Sequence, residues 1–137
     1  MPMYTVSSRA PLSVEQRLKV AGLVTTVHCE LTGAPPSFVN VVFSHGVPLK
    51  SGLGLHVFSF VRKGRPIALN DRLVKDLADK IGAILRVSKS LIDVELCEVP
   101  ASWIMEGGDI LPEPGEEANC AWLEAANHAA NPVSLAS

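Results

Sequence analysis

The pattern of hydrophobic and polar residues over the first 50 positions predicts a strand, a helix and a second strand. Residues 3–7 (MYTVS) alternate and are rich in β-forming types, so they predict a short strand. Ser13 with Gln16 three residues later matches a capping box and predicts the start of a helix. The helix carries an apolar stripe at helical spacing: Leu18, Ala21, Val24, His28 and Leu31. Gly33 ends it, and the nearly unbroken apolar run 38–43 predicts a strand covered on both faces.

Residues 51–100 repeat this order of elements. Residues 55–61 predict a strand, 62–66 (RKGRP) a turn, and the strictly alternating 92–96 (IDVEL) a last strand. Between them lies a second helical stripe, formed by Leu73, Leu77, Ile81 and Ile84. The two halves, 1–50 and 51–100, therefore predict an α/β fold of two consecutive β-α-β units, with a four-stranded sheet and both helices on one face.

The other face of such a sheet would be bare, and we expect other subunits to cover it.

The final part of the chain, residues 101–137, differs in composition from the two β-α-β units. Glycines and prolines interrupt 101–117, which predicts an extended arm. An alanine-rich stretch from Asn119 suggests a short helix around Trp122, and we expect 131–137 to be frayed. We see no linker long enough to divide the chain, so we expect a single domain spanning 1–137.

Composition narrows the class of protein. With 47% hydrophobic residues in 137, the chain can fill a core. A net charge of −2 gives no general attraction to nucleic acid or to acidic membranes. Three cysteines without a CxxC motif are typical of reduced thiols in the cytoplasm. We find neither a secretory signal pattern nor an apolar stretch near the roughly 18 residues of a membrane span, so we expect a small soluble protein.

Met1-Pro2 is the first candidate for chemistry. If Met1 is removed, Pro2 becomes a secondary amine at a chain terminus, and an α-amino group titrates at about 7.7–8.0. Such a group can act as a base or an acid near neutral pH without a cofactor. Burial in an apolar pocket would lower its pKa and yield a base, whereas a neighbouring carboxylate would raise it and keep an acid. If Met1 stays attached, Pro2 is an inert amide.

Five segments in a particular order carry a resemblance to a known family. They are Met1-Pro2, the HCELTG stretch 28–33, the RKGR turn 62–65, the EVPA stretch 98–101, and the arm from Met105-Glu106-Gly107 to LPEPGE at 111–116. In order and approximate spacing over residues 1 to about 120, the chain resembles the tautomerase superfamily, and within it the cis-3-chloroacrylic acid dehalogenase group. The resemblance implies a trimer, active sites lined by an N-terminal proline, and no metal or organic cofactor. Members of the family act on small unsaturated or 2-oxo carboxylates.

The resemblance also assigns roles to residues that have plainer explanations. It implies that Arg62 and Arg65 bind the substrate carboxylate, and the fork of a guanidinium group suits a carboxylate. The plainer explanation is a solvated turn, which is what an RxxR turn usually is. It implies that His28 and Glu106 activate water, although His28 on an apolar stripe is typical of a core histidine and Glu106 of an exposed loop acid. His45, His56 and His128 match no motif and are expected at the surface or in loops, and Glu116 and Glu117 are expected to be solvated.

Two departures from the family pattern point to an altered substrate. Glu95 stands where the family has a tyrosine on the last strand, so a possible pocket residue is anionic instead of a donor. A carboxylate there disfavours an anionic substrate unless it is protonated. Gly107-Gly108-Asp109 stands where relatives have Tyr-Gly-Arg, which makes the pocket wall less aromatic and less basic.

We therefore expect a cofactor-independent tautomerase, cytoplasmic and homotrimeric, with no nucleic-acid or membrane partner. Its substrate would be a small 2-oxo or unsaturated carboxylate, with Pro2 moving the proton while Arg62 and Arg65 hold the carboxylate. One alternative is a hydratase or dehalogenase of 3-substituted acrylates, which needs His28 and Glu106 as well. The other is a tautomerase fold retained as a non-enzymatic interaction protein.

Overall fold

A computed structural model describes residues 2–122 of the chain. Two long helices alternate with four strands, and a small hairpin follows in the C-terminal part. The elements are β1 (Met3–Ser8), α1 (Val14–Thr32), β2 (Asn40–His45), β3 (Leu55–Arg62), α2 (Ile67–Leu85), β4 (Ile92–Val99), β5 (Met105–Glu106) and β6 (Asp109–Ile110). Among these residues, neither helix is long and apolar enough to cross a membrane.

The four long strands form one mixed sheet in the order β2-β1-β3-β4. β1 pairs in parallel with β2, and β3 in parallel with β4, while β1 and β3 run antiparallel at the centre. A helix joins the strands of each parallel pair, as a parallel connection requires. The predicted α/β fold with two helices and a four-stranded sheet is confirmed.

The main core lies between the sheet and the two helices, which also pack against each other. Alternate residues of the strands point into it, including Tyr4, Val6, Leu55 and Val57, all of them 3% exposed or less. The second helix meets them with Leu73, Leu77 and Ile81, and Ile84 packs at the edge, so the predicted stripe of α2 is confirmed.

Helix α1 begins as the sequence predicts but faces the core with a partly different stripe. The Ser13 hydroxyl accepts a hydrogen bond from the backbone N–H of Gln16. The side-chain oxygen of Gln16 accepts one from the backbone N–H of Ser13, which completes the capping box. The buried residues are Val20, Val24, Val27 and His28. Leu18, predicted to be buried, is 70% exposed. Leu18 lies three residues before Ala21, as the helical period requires. The buried face of the helix, however, is centred on Val20, Val24 and Val27.

The predicted strand 38–43 is shifted in the structure. Pro36–Phe38 form a 3₁₀ turn, and β2 spans Asn40–His45. In the single chain only one face of this strand is covered, since Val42 is 48% exposed on the outer face of the edge strand β2, so cover on both faces stays a prediction. Val41 and Phe43 pack against the core from the other face.

The sheet face away from the helices is open in the single chain. It presents Met3, Val42 and Phe60, which are 45%, 48% and 38% exposed, together with the half-buried Phe58. The rings of Phe58 and Phe60 meet edge to face, with their centroids 5.1 Å apart. We call this surface the outer sheet face. The exposure of these side chains agrees with the expectation that the second face of the sheet is bare in a single chain.

The C-terminal part folds back over one end of the sheet. The β5-β6 hairpin turns through Gly107 and Gly108, and a second small core forms from Ala101, Ile104 and Leu111. The predicted arm is therefore more structured than an extended segment. Residues 121 and 122 begin a helical turn. The predictions about Met1, His128 and residues 131–137 lie outside the described residues.

Candidate active site

The turn between β3 and α2 brings two arginines to one end of the sheet. Arg62 is the last residue of β3, and Arg65 lies just before Pro66, which caps α2. Gly64 between them has φ +105°, a conformation that favours glycine, and a Cβ at this position would lie 3.6 Å from Cγ of Pro114. The turn is thus packed against the arm, which forms the opposite wall.

Arg62 makes two hydrogen bonds to that arm. Its Nη1 donates to the carbonyl of Pro112 at 2.8 Å, and its Nη2 donates to Oε1 of Glu117 at 2.7 Å. The Arg62 side chain is 12% exposed and the Glu117 side chain 38%, so this ion pair is only partly shielded from water. Arg62, which the sequence assigns to substrate binding, already binds a carboxylate of its own chain.

Glu117 is held at both carboxylate oxygens. Its Oε2 accepts the backbone N–H of Gly115 at 2.7 Å while Oε1 accepts from Arg62. Burial by itself raises the pKa of Glu117, but the hydrogen bonds from the backbone and from Arg62 outweigh it and lower the pKa overall. The prediction that Glu117 is merely solvated is wrong, whereas Glu116 beside it is exposed.

Arg65 is differently placed. Its side chain is half-buried, and it forms no hydrogen bond or ion pair with any other residue of the described part of the chain. Burial and then the positive charge of Arg62 lower the pKa of Arg65, while Glu117 and Tyr4 partly oppose them. Its donors are therefore available to a ligand.

Both arginines line a cavity of about 490 Å³. The end of α1, the start of α2 and the arm form its walls, with Thr32, Gly33, Ala34, Pro35, Phe38, Leu69, Leu111, Pro114, Gly115 and Glu117. Most of these groups are apolar or backbone, and such a lining around a few charged groups is typical of a small-molecule site. Pro2, His28 and Glu106 are not among the described residues that line it.

His28 lies behind this cavity in the core. Its Nδ1 is 2.8 Å from the Tyr4 hydroxyl, and its Nε2 has no hydrogen-bond partner in the described residues. Burial first, then the charges of Arg65 and Arg62, lower the pKa of His28 to about 4, so the ring is neutral at pH 7. Burial raises the pKa of Tyr4, which therefore keeps its proton. Sequence patterns assign no role to Tyr4, although its place on a buried strand, with His28 on a helix that packs over the sheet, is a signal from which the pair can be predicted.

Pro2 lies directly before β1, and Glu106 belongs to the β5-β6 hairpin of the arm. Pro2 is buried, and its carbonyl accepts the backbone N–H of Asn40 at 3.0 Å. Glu106 is half-buried and ends β5, where it pairs with Asp109 across the hairpin turn.

Glu95 does not join the cavity of Arg62 and Arg65. It lies on the outer sheet face, 59% exposed, with Oε2 at 3.2 Å from Nε2 of His56. Within the single chain Glu95 lies apart from that cavity, because alternation along β4 directs it away from the helices. His56, Asp93 and Glu95 are the one group of described residues close enough to share a metal ion, and exposed acidic groups commonly lie together without one.

Comparison with solved structures reveals close relatives of this fold. The structure of N1, a member of the cis-3-chloroacrylic acid dehalogenase family, matches with a TM-score of 0.81 and 27% identity, over 94% of this chain and 99% of that one. The structure of Ps01740 matches with a TM-score of 0.69 and 29% identity, over 76% and 99%. A fused 4-OT, described as an asymmetric trimer, shares the fold at 20% identity and a TM-score of 0.71, over 79% and 94%.

Neither protein-family models nor the sequences of curated proteins produced a match. Kinship is thus indicated by the fold together with the order of motifs along the sequence. The resemblance inferred from those motifs is confirmed: this chain has the fold of the tautomerase superfamily and is similar, over nearly its whole length, to a member of the cis-3-chloroacrylic acid dehalogenase family.

Proposed function

We propose that this chain is a cofactor-independent tautomerase that acts on a small 2-oxo or unsaturated carboxylate, with Pro2 as its acid-base group after removal of Met1. The observation that carries the proposal is Arg65. Its half-buried guanidinium has no partner in the described residues and lines a mostly apolar cavity of about 490 Å³. A cation in such surroundings binds a carboxylate strongly. The similarity to N1 supports the same class of chemistry.

The reaction needs only a held carboxylate and a mobile proton. The guanidinium group of Arg65 withdraws charge from the carboxylate of an enol substrate and fixes its orientation, while Arg62 holds the arm that forms the opposite wall. The prolyl ammonium then donates its proton to C3 as the enol hydroxyl loses its own, so the keto acid forms with no net change in protons. The free amine takes up the released proton and restores the starting state.

Ketonisation of phenylenolpyruvate tests this proposal directly. We expect a clear rate for the native chain and its loss in Pro2→Ala, together with an intact mass that lacks Met1. Retention of Met1 in the native protein would remove the amine and with it the mechanism. No rate in either protein would favour the interaction protein instead of the enzyme.

Hydration or dehalogenation of a 3-substituted acrylate is the second candidate. The buried, neutral His28 favours it, because its Nε2 lacks a partner in the described residues and can accept a hydrogen bond from water when Nδ1 donates to Tyr4. In this reaction His28 and Glu106 would activate water, and Pro2 would protonate the α-carbon. His28→Gln and Glu106→Gln should then abolish hydration and spare ketonisation, whereas equal loss of both reactions would contradict this division.

We also propose that the chain forms a homotrimer through its outer sheet face. Met3, Val42 and Phe60 are exposed there, and apolar side chains grouped on one face favour contact with another subunit. Glu95 shares the face, so it reaches a pocket only if a neighbouring subunit completes one. Light scattering should give three times the chain mass, and Phe60→Asp should reduce it. Ile67→Asp, at an exposed position of α2, is the matched control.

A further inference from the structure

The cavity of the proposed site contains a carboxylate that belongs to the chain itself. Glu117 lines the cavity and places Oε1 at 2.7 Å from Nη2 of Arg62, and its Oε2 is held by the Gly115 amide. This is the geometry that a bound substrate carboxylate would adopt on a guanidinium. Because both oxygens are satisfied, Glu117 is built into the wall.

Glu117 therefore lowers the net charge of the cavity lining below the +2 that the two arginines alone would give. Arg62, Arg65 and Glu117 are the ionisable residues among its described lining. Two positive charges and one negative leave a net charge of +1. A ligand with one carboxylate neutralises it, whereas a ligand with two leaves one carboxylate facing Glu117 without a cation of its own.

The two arginines are also unequal in their freedom. The Arg62 side chain is 12% exposed and donates hydrogen bonds to Pro112 and Glu117, so its main role is to hold the arm in place. Arg65 keeps its donors free of any partner in the described residues. The cation open to a ligand is thus Arg65.

We propose that Glu117 is a specificity-determining residue that limits the site to ligands with a single carboxylate. By neutralising Arg62, it leaves Arg65 to hold that carboxylate and repels a second one. This inference rests on the proposed carboxylate site but not on the proline chemistry. It assigns Arg62 the role of a positioning residue for the arm.

Pyruvate and malonate are suitable probes, because both are three-carbon acids and they differ in the number of carboxylates. Titration of the full chain by calorimetry or ligand-observed NMR should show tighter binding of pyruvate than of malonate. Glu117→Gln removes the charge while keeping the shape, and freeing a charged donor at Arg62 should strengthen malonate binding about tenfold. Pyruvate binding should change by about threefold or less, since its one carboxylate already has Arg65.

The neighbouring Glu116→Gln is the matched control, since this variant also loses one negative charge from the arm, while the exposed Glu116 side chain forms no hydrogen bond or ion pair with either arginine. It should leave the ratio of the two affinities unchanged. An unchanged ratio in Glu117→Gln, or an equal loss of both ligands because the arm has detached, would overturn the inference. Glu117→Asp, which keeps the charge, should retain the preference for pyruvate.

Arg65→Ala separates this inference from the proposed function. It should abolish binding of both acids. If both acids still bind, the carboxylate site itself is wrong. If Arg65→Ala abolishes binding while Glu117→Gln leaves the ratio alone, the site stands and only the role of Glu117 fails.

Discussion

The hydroxyl of Tyr4 lies 2.8 Å from Nδ1 of His28, and this bond joins the first strand to the first helix inside the core. The two rings meet edge to face with centroids 5.7 Å apart. Tyr4 is 0% exposed and His28 1% exposed, so the bond between them is shielded from bulk solvent. The bond therefore fixes the orientation of the imidazole within the core.

Tyr4→Phe should destabilise the protein by about 1–2 kcal/mol, because it leaves Nδ1 of a buried histidine without a partner. Urea unfolding at pH 7 measures this change in the free energy of unfolding. Thr5→Val, on the opposite face of the same strand, is the control and should have a smaller effect. A Tyr4→Phe variant as stable as the native protein would show that the bond contributes nothing.

The lowered pKa of His28 predicts loss of stability in mild acid. The folded pKa is about 4, against an ordinary value of 6.5, so between these pH values the unfolded chain binds more protons at this residue. The contribution of His28 is thus complete above pH 6.5 and declines as the pH falls towards 4, by a total of about 3 kcal/mol. Urea unfolding at a series of pH values should show this slope, and His28→Gln should flatten it. Equal slopes in the two proteins would contradict the prediction.

Two helical glycines should respond in opposite ways to alanine. Gly22 in α1 is exposed, with no atom within 4 Å of a new Cβ, so Gly22→Ala should stabilise the protein by about 0.5–1 kcal/mol. Gly82 in α2 is buried, and its Cβ would lie 3.0 Å from the carbonyl oxygen of Val87. Gly82→Ala should therefore destabilise the protein by about 1 kcal/mol or more, because strain against the backbone exceeds the gain in helix propensity. Thermal unfolding of both variants provides the comparison, and a shift of the same sign in both would count against it.

Arg62→Ala should loosen the arm, because it removes the bonds to Pro112 and Glu117 together. We expect faster hydrogen exchange at the amides of residues 111–117 with little change in the sheet. Arg72→Ala is the control, since Arg72 is 70% exposed and only pairs with Asp76 on the same helix. Unchanged exchange in the arm would mean that the small core of Ala101, Ile104 and Leu111 holds it alone.

The elements of the fold follow from local patterns, and these patterns predict the elements correctly where the periodicity is strong. The stripe of Leu73, Leu77 and Ile81 predicts α2 because each residue recurs on one helical face. Leu18 shows the limit of this reasoning, since an apolar residue at the edge of a stripe can point either way. Likewise, the apolar run at 38–43 has no period that could separate the 3₁₀ turn from the strand.

The candidate site is less accessible to sequence reasoning, because its contacts join distant residues. Arg62 and Glu117 are 55 positions apart, and no local pattern announces their bond. A glutamate in a polar loop is usually solvated, so the plain expectation for Glu117 was reasonable and still wrong. The paired arginines themselves could be predicted, since a short turn between a strand and a helix must carry both to the same end of the sheet.

The hydrogen bond from the Asn40 amide to the Pro2 carbonyl extends the ladder of β1 and β2 by one residue. Because a proline ring has almost no side-chain freedom, its nitrogen is aimed by the backbone of the strand alone. A slip of one residue between these strands would carry the ring about 3.3 Å along the strand and turn it to the opposite face. The register between β1 and β2 thus sets the position of the Pro2 ring. Substitutions along the pairing of these two strands can therefore displace the ring without contacting it.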